Sequence, residues 1–540
     1  MSTLMPRRSP FLHLLLTLGF MVPSGCTKDD KSATPTIEFG AIGSLSKSSG
    51  QGSFRFGATS SATQIEENNT HTDWYHWTLP EADGGMGKSP FVQEGVRGVA
   101  HALDDVALLT EMNLEAYRFG IEWARVEPAR DIIDEEALSH YGALLTALVT
   151  AGIRPMVTLH HFSNPIWTND FRTPCQPGDA PTDTNLCGWA HPSGADAIIE
   201  ELAEHAALMA ERYGDRVDEW CTINEPVNYI FASYGAGEFP PGDAYMLEDF
   251  DVLMNVFRNF MRAHVAIYDA IKTHDTVDAD GDGLAADIGL GLSVIDWQAS
   301  YENKPSDHPS DVAARDRIWY AYHHLFPDAI MEGGFDADLD QVREESHPNW
   351  TGKLDWLGIQ YYVRAGVTGT PALLPVFDAT ICVEGIDFGS CLPPLEETHV
   401  IPSVGYEYYE PGMYTILKDM SARYPSLPLV ITETGIATQV GQRRSEHIVR
   451  TLEQMNRAME EGVDVRGYYH WSLTDNFEWL HGFGPTFGLY QVNLDTYERT
   501  PTEGAVLLGE VAASRQVTAA QRATYGGTGP MTPEPTDGAN

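Results

Sequence analysis

Thr222-Ile-Asn-Glu-Pro226 and Ile431-Thr-Glu-Thr-Gly435 are the two stretches that decide the fold. Each places a glutamate, Glu225 or Glu433, after a short apolar run, and such runs are typical of strands buried on both faces. Two strands that each end in a carboxylate favour an α/β barrel, because barrel active sites form at the C-terminal ends of the strands. Two opposed carboxylates are also what glycoside hydrolysis requires.

Outward from these stretches, strand-like segments alternate with amphipathic helical patterns such as Ala100–Met112 and Ala197–Tyr213. Eight strands separated by helices are typical of a (β/α)8 TIM barrel, so we predict an α/β fold with a single catalytic domain over residues 51–515. The predicted strands are Phe54–Thr59, Ala116–Phe119, Met156–Leu159, Val217–Ile223, Ile288–Val294, Trp356–Ile359, Leu429–Thr432 and Gly467–Trp471.

The charge balance excludes several classes of partner. The 540 residues carry 34 Lys and Arg against 77 Asp and Glu, a formal net charge of −43. Binding to nucleic acid needs clustered positive charge, and so does electrostatic docking on an anionic membrane. We therefore expect an acidic surface that binds neither nucleic acid nor, by charge, a lipid bilayer. The sequence leaves the oligomeric state open.

The two ends of the chain differ from its middle in composition. Residues 1–25 resemble an export signal, with Arg7-Arg8 before an apolar run and Ser24-Gly25-Cys26 after it. The signal is either of the lipoprotein type, with a lipid on Cys26 as the sole attachment to a bacterial membrane, or an ordinary secretory signal. Residues 26–50 are expected to form a flexible tether, and residues 516–540 a disordered tail.

Export allows disulfides to form. Cys175 and Cys187 flank one polar insertion, and Cys382 and Cys391 flank another, so each pair is predicted to close a short loop. Cys221 lies within a predicted strand and is expected to be a free core residue.

Several longer motifs occur in a characteristic order. Over about Phe54 to Pro501 the chain resembles the family 1 glycoside hydrolases, the β-glucosidase and β-galactosidase family, whose members hydrolyse β-linked sugars with retention of configuration. The motifs that carry the resemblance are Phe54-Arg-Phe-Gly-Ala-Thr-Ser-Ser-Ala-Thr-Gln-Ile-Glu66, Tyr117-Arg-Phe-Gly-Ile-Glu-Trp-Ala-Arg125, Thr158-Leu-His-His161, Asn224-Glu-Pro226, Glu433-Thr-Gly435 and Trp471-Ser-Leu-Thr-Asp-Asn-Phe-Glu-Trp479.

The resemblance implies roles for the catalytic residues. Glu433 would be the nucleophile and Glu225 the general acid and base, with Arg118 and Tyr362 in contact with the nucleophile. A guanidinium and a phenol beside Glu433 would favour its charged form, and that charge would hold the proton on Glu225. No cofactor is needed for this chemistry.

The resemblance also implies a set of sugar-binding residues. Hydrogen bonds to the sugar are expected from Gln64, His161, Asn224 and Glu478, while Trp471 would give an apolar floor and Trp479 an N–H donor. Gln360 stands where the family usually has Asn, and this longer amide is expected to shift contacts near the site. The long segment from Val363 to Tyr409 is expected to shape the entrance for the aglycone.

The predicted function is a retaining β-glycosidase that removes terminal, non-reducing β-D-glucosyl residues from oligosaccharides or β-glucosides. Three alternatives remain open: a β-galactosidase or β-fucosidase, a transglycosylating β-glycosidase on the same site, and a catalytically dead sugar-binding relative. Dead relatives usually lose one of the two glutamates, and both are present here.

A second acidic motif lies between a predicted helix and the strand Ile288–Val294. Asp278, Asp280 and Asp282 have the 1, 3, 5 spacing of a calcium loop, Gly283 follows at position 6, and Asp287 lies just beyond. The sequence therefore predicts either a structural calcium site on the barrel face opposite the active site or a solvated acidic turn.

Overall fold

A computed structural model describes residues 35–176, 178–374, 376–382 and 387–535. The predicted export signal and Cys26 lie outside the described residues.

Eight parallel strands close into a barrel, which confirms the predicted fold. Each strand pairs with the next in chain order, and the eighth pairs with the first. The strands are β1 (Arg55–Thr59), β2 (Ala116–Gly120), β3 (Arg154–His160), β4 (Glu219–Asn224), β5 (Asp287–Tyr301), β6 (Trp356–Thr368), β7 (Leu429–Thr434) and β8 (Val465–Trp471).

Strands β1, β2, β4, β7 and β8 are buried along their whole length, because helices cover the outside of the barrel and side chains fill its interior. This double burial explains why the strands appear in the sequence as short apolar runs rather than as alternating patterns. β5 and β6 continue well beyond the barrel and pair with each other over ten positions.

Helices connect the strands and form the outer layer. Several begin at a side chain that accepts backbone N–H groups, such as Asp134, which accepts from Glu136 and Ala137. The main helices are α1 (Gly98–Glu111), α2 (Glu135–Thr150), α3 (Pro192–Tyr213), α4 (Phe250–His274), α5 (Pro309–Trp319), α6 (Leu325–Glu332), α7 (Glu410–Arg423), α8 (Gly441–Glu460), α9 (Glu503–Ser514) and α10 (Ala519–Tyr525). Among the described residues, no helix is long and apolar enough to cross a membrane.

The prediction of a flexible tether is wrong for residues 35–50. Ile37–Glu38 pair with Gln516–Val517 in a two-stranded sheet, and Phe39 is buried in the main core. Leu45 is fully buried in a cluster with barrel-interior side chains that include Met156 and Trp356, so it covers the N-terminal end of the barrel. The sequence hides this role because isolated apolar residues among Ser and Gly give no periodic pattern.

The prediction of a disordered C-terminal tail is likewise wrong for residues 516–535. Gln516–Val517 form the sheet with Ile37–Glu38, α10 follows, and Met531 is almost fully buried. Residues 536–540 lie outside the described part of the chain.

The two predicted disulfide pairs are joined in the structure, Cys175 to Cys187 and Cys382 to Cys391. Each closes a short loop on an insertion between barrel elements. Cys221 is free and buried, in the barrel interior.

Candidate active site

Glu225 and Glu433 lie at the C-terminal end of the barrel and line the same cavity. Glu225 directly follows the last residue of β4, and Glu433 is the penultimate residue of β7. Both carboxylates are nearly buried, with exposed fractions of 7% and 4%. The remaining lining residues are His161, Phe162, Asn224, Asn228, Phe239, Ser293, Val294, Ile295, Tyr322, Tyr362, Val363, Val404, Tyr406, Trp471, Glu478, Trp479, Leu480, His481 and Phe487.

Glu433 is surrounded by hydrogen-bond donors. Arg118, from the middle of β2, forms an ion pair with Oε1 of Glu433. Nε2 of Gln360 donates to the same oxygen over 3.0 Å, and the Tyr362 hydroxyl donates to Oε2 over 3.1 Å. The parallel register of β6 and β7 sets Gln360 directly beside Glu433. One positive charge and two neutral donors therefore favour the ionised form of this carboxyl group.

The same donors fix Asn224. Its Oδ1 accepts from Nη2 of Arg118 at 2.6 Å and from Nε2 of Gln360 at 2.7 Å. With its oxygen occupied, the Asn224 amide turns its N–H2 group to Nε2 of His161, 3.1 Å away. Nε2 of His161 then accepts, so its proton lies on Nδ1. Burial and the neighbouring Arg118 lower the pKa of His161 well below its usual range, which keeps the ring neutral.

Glu225 has a different environment from Glu433. Its backbone is in the left-handed region, with φ of 41°, which few residues other than glycine adopt and which the surrounding structure must impose. Nδ2 of Asn228 donates to its Oε2 over 2.8 Å. Burial and the nearby charge of Glu433 raise the pKa of Glu225 to about 8.

The two carboxyl groups are thus set for different protonation states. Burial raises the pKa of Glu433 as well, but Arg118 and Tyr362 oppose that rise at Glu433. Only Glu433 has an ion pair with Arg118, so Glu433 is the first of the two carboxyl groups to ionise as the pH rises. Glu225 then keeps its proton. One ionised and one protonated carboxyl group in a single cavity can attack a carbon centre and protonate a leaving group.

Glu478 is the centre of a further polar part of the cavity lining, which we call the polar wall. Glu478 accepts from Nε2 of Gln64 at 3.1 Å and from Nε1 of Trp471 at 3.3 Å. Burial raises the pKa of Glu478 to about 8. The rings of Trp471 and Trp479 lie nearly parallel to that of His161, with centroids 5.9 and 6.1 Å away. The cavity therefore combines flat rings with hydrogen-bonding groups, as sugar sites do.

The structure brings all the predicted catalytic and sugar-binding residues to one place. Seven of them line the cavity with Glu225: His161, Asn224, Tyr362, Glu433, Trp471, Glu478 and Trp479. The other three, Gln64, Arg118 and Gln360, lie just behind it and are bonded to lining residues.

Sequence reasoning missed several lining residues. Asn228 lies one helical turn after Glu225, and that spacing alone could have indicated it. Tyr322 donates to Ser293 over 3.1 Å, but it lies in an irregular helical turn that carries no motif. From the segment Val363–Tyr409, Val363, Val404 and Tyr406 line the cavity. We call Phe239, Val294, Ile295, Tyr322, Val404 and Tyr406 the aromatic and aliphatic lining residues.

The acidic loop has a different arrangement from the one predicted. Asp282 and Asp287 accept hydrogen bonds from Ser44 and Ser46 of the N-terminal segment rather than joining the other carboxylates. Asp278 and Asp280 instead group with Asp218, which the sequence analysis missed.

A cation is already present at this group, because Nη1 of Arg154 lies 2.8 Å from Oδ2 of Asp280. A structural calcium ion stays a prediction, now with Asp218, Asp278 and Asp280 as its carboxylate ligands. The grouping lies at the N-terminal end of the barrel, away from the catalytic cavity.

The fold and the cavity together define a carbohydrate-cleaving enzyme, and comparison with known proteins identifies its family. Residues 51–517 match the family model for glycosyl hydrolase family 1, and the chain belongs to that family. It is a glycoside hydrolase that acts on β-glycosides, with a carbohydrate as its substrate.

Among characterised relatives, a β-galactosidase from Pyrococcus woesei is 29% identical, with 86% of this chain and 97% of that protein covered. A β-glucosidase from an Agrobacterium species is 28% identical, with 74% of this chain and 80% of that protein covered. The solved structure of a β-glycosidase from Pyrococcus horikoshii superposes with a TM-score of 0.71 at 28% identity, covering 87% of this chain and 96% of that one.

Proposed function

We propose that the protein is a retaining β-glucosidase that works by double displacement. The observation that supports double displacement is the unequal pair of carboxyl groups, with Glu433 held by Arg118, Gln360 and Tyr362, and Glu225 protonated with a pKa of about 8. The choice of a glucoside as substrate rests on the similarity to β-glucosidases.

In the first step, the Glu433 carboxylate attacks the anomeric carbon while Glu225 gives its proton to the glycosidic oxygen. The bond between the anomeric carbon and that oxygen breaks, the aglycone leaves as an alcohol, and the sugar is esterified to Glu433. Esterification removes the negative charge beside Glu225, so the pKa of Glu225 falls and its carboxylate can act as a base.

In the second step, Glu225 takes a proton from water, the hydroxyl oxygen attacks the anomeric carbon and the ester bond to Glu433 breaks. Two inversions give net retention. Asn224 is fixed by Arg118 and Gln360 so that its amide faces the cavity beside His161, where it can bind a sugar hydroxyl that gains interaction in the transition state.

The test combines product stereochemistry with two variants. Proton NMR should show the β-anomer of glucose as the first product, and Glu433→Ala should lose about 10³-fold or more in rate. In Glu225→Ala, glycosylation by substrates with good leaving groups should be slowed much less than by cellobiose, and azide should yield a β-glycosyl azide. An α-anomer as first product, or equal losses on both substrates without an azide effect, would exclude the assignment.

A β-galactosidase is the second candidate, because a relative that matches most of the chain has that name. The two activities differ in the orientation of the 4-hydroxyl group, which the polar wall around Glu478 and Gln64 would contact. A panel of nitrophenyl β-glucoside, β-galactoside and β-fucoside, compared by kcat/KM, distinguishes them.

We also propose that the protein is exported, either secreted or lipid-anchored at Cys26. Two disulfides in one chain support export, since such bonds persist in oxidising compartments. Cell fractionation tests export, and loss of labelled fatty acid in Cys26→Ala tests the anchor.

A further inference from the structure

The segment after α10, residues 526–535, lies against α8 and the chain near Thr398, and we call it the C-terminal strap. It falls outside the part of the chain that matches the family model, which ends at residue 517. Its contacts therefore lie beyond the region that the family model describes.

Polar contacts fix the strap at three successive points. Arg450 on α8 donates to the carbonyl oxygens of Gly529 and Pro530, at 2.7 and 3.3 Å. The Met531 amide donates to Thr398 over 2.9 Å. Both the amide and the hydroxyl group of Thr532 donate to Glu446 on α8, at 2.8 and 2.6 Å. Side chains thus replace the secondary structure that the strap backbone lacks.

A fourth contact joins the strap to the loop that follows the nucleophile. Glu534 accepts a hydrogen bond from Thr438, five residues after Glu433, and lies 3.6 Å from Nε of Arg443. Arg443 is 1% exposed, so its charge faces Glu534 in a nearly dry environment where such attraction is strong.

Between these anchors, Met531 is only 2% exposed and belongs to a small apolar cluster separate from the main core. The cluster has seven buried members, two of which, Trp471 and Phe487, line the sugar cavity. Tyr362, Val404 and Tyr406 pack against it from the cavity side. The strap is thus packed behind the cavity wall that contains the apolar floor and a phenol bonded to the nucleophile.

We propose that the C-terminal strap is a positioning element for the sugar cavity and that Met531 is its positioning residue. Truncating Met531 would leave a cavity in this cluster, and the neighbouring side chains would shift partly into it. A shift of the wall by a fraction of an ångström misplaces the sugar relative to Glu433 and Glu225. The inference rests on the proposed glycosidase function only for its assay.

The test compares buried methionines at two places. Met531→Ala should raise KM for nitrophenyl β-glucoside and lower kcat/KM about tenfold. Met209→Ala, in α3 and fully buried in the main core, is the matched control, and it should lower the melting temperature while KM stays within about twofold. Met531→Leu keeps most of the volume and should restore KM.

A second variant, Thr532→Val, tests the proposal if Met531→Ala fails to fold. Thr532→Val removes the hydroxyl donor to Glu446 without changing the apolar cluster, and it should raise KM by a smaller factor of about two to three. A lower melting temperature with unchanged KM in Met531→Ala would overturn the proposal and leave the strap a stability element; where Met531→Ala does not fold, an unchanged KM in Thr532→Val would overturn it. A wild-type enzyme inactive on all β-glycosides would instead refute the proposed function.

Discussion

Gln360 offers a sharp test of how the nucleophile is held. Its Nε2 donates both to Glu433, at 3.0 Å, and to Asn224, at 2.7 Å, whereas its Oε1 is buried without a hydrogen-bond partner among the described residues. Gln360→Met therefore removes the amide donor, keeps the volume of a fully buried side chain and breaks no other hydrogen bond.

The size of the effect follows from what remains around Glu433. A hydrogen bond to a charged group contributes about 1.5–3 kcal/mol. Oε1 of Glu433 retains its ion pair with Arg118 and Oε2 retains Tyr362, so the loss should lie at the lower end, about 1.5 kcal/mol. This corresponds to about one unit in the pKa of Glu433 and about a tenfold loss in kcat/KM.

The assay is a pH profile of kcat/KM with a nitrophenyl β-glucoside. Removing a donor to the charged form raises the pKa of Glu433, so the acidic limb of the profile should move up by about one unit while the alkaline limb stays in place. Gln360→Asn restores the amide on a shorter arm and should recover part of the loss. An acidic limb that does not move in Gln360→Met, with kcat/KM within twofold of wild type, would refute the proposed support of the nucleophile.

Three further predictions concern the general acid, the aglycone preference and the acidic loop. Since the pKa of Glu225 is raised to about 8, kcat/KM should fall as pH rises through about 8, because the general acid then loses its proton. An alkaline limb with its midpoint below about pH 6 would contradict this prediction. The aromatic and aliphatic lining residues make up a large part of the cavity wall, so alkyl and aryl β-glucosides should have higher kcat/KM than cellobiose, and a preference for cellobiose would argue against an apolar aglycone site. Calcium added after chelation should raise the melting temperature by a few degrees in the wild type but not in Asp278→Asn, with activity unchanged in both; no shift in the wild type would eliminate the site.

Much of the fold follows from the sequence by itself. All eight barrel strands lie where short apolar runs predict them, because strands buried on both faces are mostly apolar and do not alternate with solvent-facing polar positions. Glu225 and Glu433 could be placed at the same end of the barrel without coordinates, since the carboxyl ends of parallel strands all meet there.

The hydrogen-bond partners of these residues are harder to predict from the sequence. That Gln360 joins Glu433 to Asn224 depends on the register between β6 and β7, and one residue of slip would turn its side chain to the other face of the sheet. Sequence spacing contains no information on that register, so only the folded barrel decides it.

The two ends of the chain show most clearly that contacts between distant residues cannot be predicted from the local sequence. Leu45 and Met531 are single apolar residues in stretches of Ser, Gly, Thr and Pro, a composition that is typical of flexible segments. Both are buried because they meet surfaces that other parts of the chain build: the open end of the barrel for Leu45, and the cluster behind the sugar cavity for Met531. The sequence determined the barrel and its carboxylates through local apolar runs and motifs, whereas the burial of Leu45 and Met531 depends on contacts between distant residues that exist only once the barrel has closed.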